Sequence, residues 1–359
     1  MNTATAAQLK NLYRKSKKRK ILAISSLFLI LLVSMVVSIS VGAGAPTFMD
    51  AVKVISSRLF PFLNINPGSE LTQSIILDTR LPRLLLAVIA GAGLAASGAS
   101  MQGVLRNPLV SSYTLGISAG AGFGAALAIV FQIGVFTEYP AYVTVANAFL
   151  FSLIAVSIVY GIARLRGITS ETVILAGIAV GYLFSAALSF IQYVTPEHEA
   201  VRSVVFWLLG SFVSASWTSI FIVLPFVVIT IIFMIRYSWD LNVMNLGEDT
   251  AASTGVNSKR ILTIYMILTT IATASIVSFT GILGFICLVS PHIARMLIGN
   301  DHRFLIICSI LVGSSLLLCS DTLARMVLYK SDIPVGIITS LLGIPFFIYL
   351  LLSRKQRSW

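Results

Sequence analysis

Long apolar runs, separated by short polar segments, dominate the chain. A helix needs about 20 mainly apolar residues to cross the hydrocarbon core of a bilayer, and runs of that length recur along the sequence. The predicted spans are 21–42, 83–105, 113–133, 142–163, 172–194, 216–236, 260–280, 282–299, 304–324 and 334–353. The pattern predicts an all-α integral membrane protein with about ten transmembrane helices.

The division between the seventh and the eighth span depends on few residues. A long apolar run begins at Ile261, and only its length and Gly281 favour a break near Phe279. If this run formed one helix, the chain would have nine spans and its two ends would lie on opposite sides of the membrane.

The distribution of basic residues predicts the orientation. With the N-terminus inside, the inner segments hold most of the 25 lysine and arginine residues, including those in the N-terminal segment 1–20 and in the tail 354–359. Because cytoplasmic loops carry an excess of Lys and Arg, both ends are predicted to be cytoplasmic. The expected organisation is a basic N-terminal segment (1–20), one ten-helix domain (21–353) and a basic tail (354–359).

Composition excludes a soluble nucleic-acid-binding protein. The chain is 57% hydrophobic and only 11% charged, with a mean hydropathy of +0.95, whereas soluble domains are about 25% charged. A net charge of +12 on so little polar surface is better explained by membrane orientation than by a nucleic-acid patch. We therefore expect contacts with membrane lipid and none with nucleic acid.

One polar insert interrupts the spans. LNVMNLGEDTAASTGVNSKR (241–260) lies between the sixth and seventh spans, so the predicted orientation makes it the longest inner loop. It is either a solvated connector or a surface for another protein. No glycine immediately precedes a lysine in the chain, which excludes a P-loop, so any ATP that drives this protein must bind another subunit.

Ionisable residues are nearly absent from the spans. The exception is Asp321 with Arg325, whose i,i+4 spacing suits an ion pair within one helix. Both a structural pair and a proton relay fit this spacing, since charges inside a membrane often mark ion pathways.

Several segments resemble a known family. RLPRLLLAVIAGAGLAASGASMQGVLRNPL (80–109) resembles the permease signature of the iron-siderophore and cobalamin ABC importers. The resemblance continues, in the order of the family, through LNVMNLGEDTAASTGV, GFICLVSPHIARMLIGNDHR and DIPVGIITSLLGIPFFIYLL. It extends to Leu351, while the first eighty residues match only in their plan.

The resemblance implies the permease fold of a type II ABC importer in a bacterial cytoplasmic membrane. Two such permeases, identical or paralogous, would pair, with two ATPase subunits on the inside and a substrate-binding protein outside. ATP and magnesium would bind the ATPases, and iron would pass as a chelate. The chain itself would bind no cofactor or metal and would have no catalytic residues.

The resemblance also assigns roles to residues. It implies two short helices in the insert that dock on the ATPase, with Gly247 between them, Gly255 as a C-terminal cap, and a small apolar face that includes Ala251. The implied ATPase-coupling residues are Leu246, Gly247, Glu248, Asp249, Ala251, Ala252 and Gly255.

Three further groups follow from the same resemblance. Docking of the binding protein is implied for Arg80, Arg83 and Arg325. Two cytoplasmic motifs that brace the coupling region comprise Arg106, Asn107, Pro108, Pro291, His292, Arg295, Asp301 and His302. Gate candidates are Thr169, Ser170 and Glu171.

The sequence thus predicts the permease of an iron-siderophore importer, with haem or cobalamin as alternative substrates. An ion-coupled secondary transporter would instead have discontinuous helices and a buried acidic or ion-coordinating site. A membrane enzyme would need a set of catalytic side chains such as HExxH, and this motif does not occur in the sequence.

Overall fold

The structure is a computed structural model that describes residues 3–41, 46–134, 140–327 and 333–353. The predicted basic tail 354–359 lies outside the described residues. Within these ranges the chain forms fifteen α-helices. In chain order they are α1 (Thr3–Ser40), α2 (Phe48–Leu59), α3 (Glu70–Ser74), α4 (Leu81–Val104), α5 (Ile117–Phe131), α6 (Pro140–Arg166), α7 (Ser170–Val194), α8 (His198–Leu208), α9 (Trp217–Arg236), α10 (Ser238–Met244), α11 (Glu248–Ser253), α12 (Ser258–Thr280), α13 (Ile286–Ile298), α14 (His302–Val327) and α15 (Val335–Ser353).

Ten of these helices coincide with the predicted spans. Seven helical segments in the described ranges are long and apolar enough to cross a membrane, and α5, α13 and α15 contribute three shorter apolar helices. The predicted all-α membrane fold with about ten spans is therefore confirmed. Helix α1 extends from the first span back through the basic N-terminal segment to Thr3.

The predicted break between the seventh and eighth spans is also confirmed. Helix α12 ends at Thr280, and Gly281 follows with φ +70°. A side chain at this position would overlap the backbone carbonyl of Trp207. Glycine is required here both for the backbone angle and for the close approach of the neighbouring loop.

Helix α4 lies at the centre of the bundle and packs against α9, α12, α13 and α14. Its small residues allow this, since a Cβ on Gly91 would meet the backbone of Gly313 in α14, and a Cβ on Gly98 would overlap the carbonyl of Cys287 in α13. Close backbone contact of this kind is the usual basis of helix association in membranes.

The helices outside the spans define two ends of the bundle. Helices α10 and α11 lie at one end, called here the coupling end, whereas α2 and α8 lie at the other, called the far end. Helix α2 begins with a capping box formed by Thr47 and Asp50. It was not predicted from the sequence, and neither was α8, because the search for apolar runs of about 20 residues passes over short amphipathic helices.

Candidate functional site

The polar insert folds into two short helices at the coupling end. Gly247 separates α10 from α11 with φ +117° and ψ 159°, a backbone conformation that is essentially restricted to glycine. After α11, the Gly255 N–H donates to the Ala252 carbonyl at 3.1 Å and the Val256 N–H donates to the Ala251 carbonyl at 2.8 Å. This is a Schellman cap, so the predicted two-helix form and the cap at Gly255 are both confirmed.

The insert presents a small outer face. Leu246 is 71% exposed, and Asp249 and Ala252 are exposed as well. Ala251 is fully buried in the core of its own chain, so the expectation that it belongs to the exposed face is wrong. The reason is that α11 must bury one side to pack on the bundle, and Ala251 lies on that side. The side chain of Glu248 is outside the described residues.

Two asparagines attach α10 to the body of the protein. Asn242 Nδ2 donates to Asp301 Oδ1 at 2.9 Å, and Asn242 Oδ1 accepts from the His302 backbone N–H at 2.8 Å. One turn later, Asn245 Nδ2 lies 3.0 Å from His302 Nε2. Helix α10 is therefore bonded directly to the start of α14.

Asp301 interacts with several hydrogen-bond donors at this junction. Besides Asn242, it accepts from Arg303 Nη2 at 2.8 Å and lies 3.5 Å from Lys20 Nζ of α1. Burial opposes ionisation of this carboxyl, but the hydrogen bonds from Arg303 and Asn242 outweigh burial and hold its pKa well below the usual range. Asp301 thus stays charged at neutral pH and connects α1, α10 and α14.

His302 occupies a space left by a glycine of the central helix. Its side chain is buried, and a Cβ on Gly103 would lie 2.5 Å from its Cε1 atom. The ring therefore stands between α10, through Asn245, and α4, through Gly103.

The two predicted cytoplasmic motifs meet beside this junction. His292 Nε2 lies 3.0 Å from the Pro108 carbonyl oxygen, and Arg295 Nη2 donates to Gln102 Oε1 at 3.0 Å.

The other motif residues have local roles at the ends of these helices. Arg106 adopts a left-handed conformation, with φ +48°, where α4 ends. Asn107 Oδ1 accepts from the Leu109 N–H at 2.9 Å, and Pro291 is buried within α13. The contacts made by His292 and Arg295 brace α13 against the end of α4.

The gate candidates lie next to the insert. Thr169 caps α7, since its Oγ1 accepts from the Thr172 N–H at 3.2 Å. A cavity of about 510 Å³ is lined by Thr169, Ser170, Arg106 and the insert residues Ala252 and Gly255. Glu171 lies in the first turn of α7 and is not part of the described lining. A gating role for the three stays a prediction.

The three arginines predicted to dock a binding protein lie together at the far end. Arg83 Nε donates to Asp321 Oδ1 at 2.9 Å, and Arg325 Nε donates to Asp321 Oδ2 at 3.1 Å. Asp321 is completely buried. The predicted i,i+4 pair is therefore present. Asp321 also pairs with Arg83, which lies 238 positions away in sequence. A carboxylate held by two arginines favours a structural role over a proton relay.

The arginines also hold the end of α1. Arg80 Nη1 donates to the Ile39 carbonyl at 2.9 Å, and Arg325 Nη1 donates to the Val41 carbonyl at 2.6 Å. Arg80 and Arg83 are buried in the isolated chain, at 5% and 7% exposure. A docking carboxylate would have to compete with these internal acceptors, and the docking role of the arginines stays a prediction.

Sequence reasoning missed Asn242, Asn245, Gln102 and Gly103. The two asparagines carried a usable signal, because residues three apart on a helix point to the same side. Gln102 and Gly103 carried none, since their partners come from α13 and α14, far away in the sequence.

Comparison with known proteins gives consistent matches. The sequence profile of the FecCD transport family matches residues 30–353. An Fe(3+)-citrate import system permease protein of Bacillus subtilis is 37% identical over 345 residues, with 95% of this chain and 98% of the relative covered. A cobalamin import system permease protein of Halobacterium salinarum is 37% identical over 331 residues, with 89% and 87% covered.

A solved structure agrees with the fold. It is described as an inward-facing conformation of a metal-chelate type ABC transporter, and it is 31% identical in sequence with a TM-score of 0.79. The alignment covers 92% of this chain and 99% of that one.

Proposed function

Because the chain belongs to the FecCD transport family, we propose that it forms the membrane path for an iron-siderophore complex. At a coarser level the chain is a multi-pass permease of an ABC importer, a class in which the ATPase is a separate subunit. The proposal concerns the substrate, the site residues, the orientation and the partners.

The observation that carries the proposal is the braced insert at the coupling end. Leu246, in the turn after α10, and Ala252 of α11 are exposed, while α10 and its C-cap are bonded to the start of α14 through Asn242 and Asn245. A short helix that offers an apolar residue suits a groove on a partner protein. In ABC importers the ATPase is a separate subunit, and this supports the ATPase as the proposed partner of the insert.

The coupling mechanism follows from these bonds. Closure of the ATPase would move α10, and hydrogen bonds at 2.9 and 3.0 Å would carry this movement to Asp301 and His302 at the start of α14. The ring of His302 lies against Gly103, so α4 would shift together with α14. A force on the insert would thus tilt packed spans as units and would alternate the access of a bulky chelate to the path.

The orientation belongs to the same proposal. If the insert contacts the ATPase, the coupling end is cytoplasmic, and α2 and α8 face the outside. The basic residues from Lys10 to Lys20 then lie inside, as the positive-inside rule requires. A second permease, identical or paralogous, and an outer binding protein that docks near Arg80, Arg83 and Arg325 complete the complex.

The substrate class rests on the relatives. One is named for Fe(3+)-citrate import and another for cobalamin import. These two substrates are metal chelates and favour a chelate, whereas a relative that is 33% identical over 336 residues is named for molybdate import, a small oxyanion. An iron-siderophore is the proposed member of this class, and haem and cobalamin are the alternatives.

The coupling role is tested with the exposed leucine. Leu246→Asp is expected to reduce co-purification of the ATPase at least about tenfold, because a desolvated charge opposes docking in an apolar groove. Leu165→Asp is the matched control, since Leu165 is 87% exposed and ends α6 at the same end of the bundle. Equal ATPase binding by the two variants would contradict the proposal.

Energy source and substrate are tested in cells that carry the complete importer. Uptake of radioactive iron-siderophore is expected to stop when ATP is depleted and to survive dissipation of the proton gradient. The reverse result would establish an ion-coupled secondary transporter instead. Stronger competition by haem or cobalamin than by iron-siderophores would reassign the substrate within the chelate class.

A further inference from the structure

A furrow runs along one side of the bundle, with α6 and α9 as its walls and α12 as its floor. Two cavities lie in this furrow. One, of about 690 Å³, lies at the far end among the first turns of α6 and α9 and the last turn of α12. The other, of about 800 Å³, is lined by the middle turns of α6 and α12 and by α9 from its middle to its last turn. Neither cavity belongs to the coupling site.

The deeper cavity is suited to hydrocarbon. Its lining includes Val156 of α6, Ile229 and Phe233 of α9, and Ile271 of α12. Val156, Ile229 and Ile271 lie near the middle of membrane spans, where no water is present to solvate a polar occupant. Ile229 and Phe233 are 52% and 46% exposed. An occupant of this cavity must therefore be apolar.

The outer cavity has a different lining. Hydroxyl groups surround it, contributed by Ser211, Ser214, Ser216, Thr218, Ser219 and Ser278. Glu199 and Arg202 of α8 also line it, and both are exposed. In the described structure neither of these two residues forms an ion pair. The charged groups of the lining thus consist of one carboxylate and one guanidinium, with no net charge.

The outer cavity and the adjoining part of the deeper one together span one leaflet. Ser219 in the outer cavity and Ile229 in the deeper one are both on α9. A helix rises about 1.5 Å per residue, which separates them by about 15 Å. Half of the hydrocarbon core of a bilayer also measures about 15 Å. The rings of Phe149 and Phe226, which line the deeper cavity, are in contact with their centroids 6.1 Å apart, so a chain that joins the two cavities passes over the outer side of these rings.

We propose that this furrow binds a glycerophospholipid with a zwitterionic headgroup. One of its two acyl chains reaches into the deeper cavity, and its headgroup lies in the outer one. Arg202 contacts the phosphate and Glu199 contacts the ammonium group, while the hydroxyls of Ser211, Ser214 and Thr218 donate to the remaining oxygens. The hydroxyls of Ser219 and Ser278 instead donate to the Ser216 and Ser275 carbonyls. The balance of one acid and one base selects a phosphatidylethanolamine-type headgroup over a singly anionic one. This site is independent of the transported substrate.

The deeper half is tested by filling the cavity. The full-length permease in its complex is equilibrated with equal amounts of phosphatidylethanolamine and phosphatidylglycerol, and retained lipid is counted by native mass spectrometry. Ser157→Trp, which places an indole at a position that lines the cavity, is expected to reduce retained phospholipid at least about tenfold. Ile158→Trp is the control, because Ile158 is the next residue, is 37% exposed and does not line the cavity.

The headgroup half is tested by charge. Wild-type protein is expected to retain phosphatidylethanolamine in preference to phosphatidylglycerol, and Glu199→Gln is expected to reverse this preference. Arg58→Gln changes an exposed charge at the same end of the bundle and should leave the lipid preference unaltered. Equal retention by the two tryptophan variants, no lipid preference in the wild type, or a polypeptide found in the furrow would each overturn the proposal.

Discussion

At the scale of single residues, position 103 decides whether α10 can be held against the bundle. The ring of His302 occupies the space in which a side chain at position 103 would lie, and the same ring meets Asn245. A bulkier residue at 103 must push the ring toward α10 and strain that contact. The coupling geometry therefore depends on a residue that has no functional group.

We predict that Gly103→Ala lowers the stability of the permease by about 1–3 kcal/mol, the usual cost of overpacking a core, and weakens uptake. The change is measured as thermal unfolding in detergent together with chelate uptake in cells. Gly161→Ala provides the comparison, because no atom lies within 4 Å of a Cβ at that helical position. Equal effects of the two substitutions on thermal unfolding and on chelate uptake would contradict the role assigned to the His302 contact.

Only one of the two ion pairs of Asp321 at the far end could be predicted from the sequence. The pair of Asp321 and Arg325 follows from i,i+4 spacing on one helix and was predicted. Its partner Arg83 was not predicted to join it, because α4 and α14 are brought together only by the packing of their small residues. Burial of these groups means that removing one partner leaves an uncompensated charge.

At the scale of elements, the insert works as two helices set at a fixed angle. Gly247 holds that angle in a conformation that costs other residues about 1–3 kcal/mol. No neighbouring atom lies within 4 Å of a Cβ placed there. The requirement for glycine is therefore purely conformational.

Substitution of Gly247 by Ala is expected to alter the angle between α10 and α11 and to weaken ATPase association severalfold. Gly255→Asn should be milder, because Gly255 has φ +82° and asparagine tolerates the left-handed region. Association is measured by co-purification of the ATPase with each variant. If Gly255→Asn is the more damaging of the two, the geometry at Gly247 is not what the ATPase recognises.

Hydropathy predicted the membrane elements well and the surface elements poorly. The ten spans follow from length and apolarity alone, including the break at Gly281. Helices α2 and α8 were missed, since each has only 11 or 12 residues and buries one narrow side. The insert helices were expected only because of the family resemblance.

At the scale of the whole molecule, the central position of α4 connects the two ends. Its first turns contribute Arg83 to the far-end ion pairs, and its last turns contribute Gln102 and Gly103 to the coupling end. A helix packed on several neighbours through small residues moves with them as a unit. This arrangement suits a protein in which a force applied at one end must change access at the other.

The proposed orientation gives a test on the intact protein. In a Cys319→Ser background, which removes the exposed native cysteine, Arg58→Cys is expected to react with a membrane-impermeant maleimide in whole cells. Leu246→Cys, in the permease expressed without its ATPase, should react only after permeabilisation. Cys287 and Cys308 are buried and should not contribute. Labelling of position 246 in intact cells would place the insert outside and would remove the ATPase assignment.

The sequence by itself determined the membrane class, the number of spans, the position of the insert and the family. It could do so because bilayer thickness imposes one length on every span, and because an insert of that polarity is costly in hydrocarbon. Only the tertiary structure decided that Ala251 faces inward, that Asn242 and Asn245 hold α10 on Asp301 and His302, and that α6, α9 and α12 form a furrow. These features join side chains from distant helices, and such contacts exist only after the helices have packed.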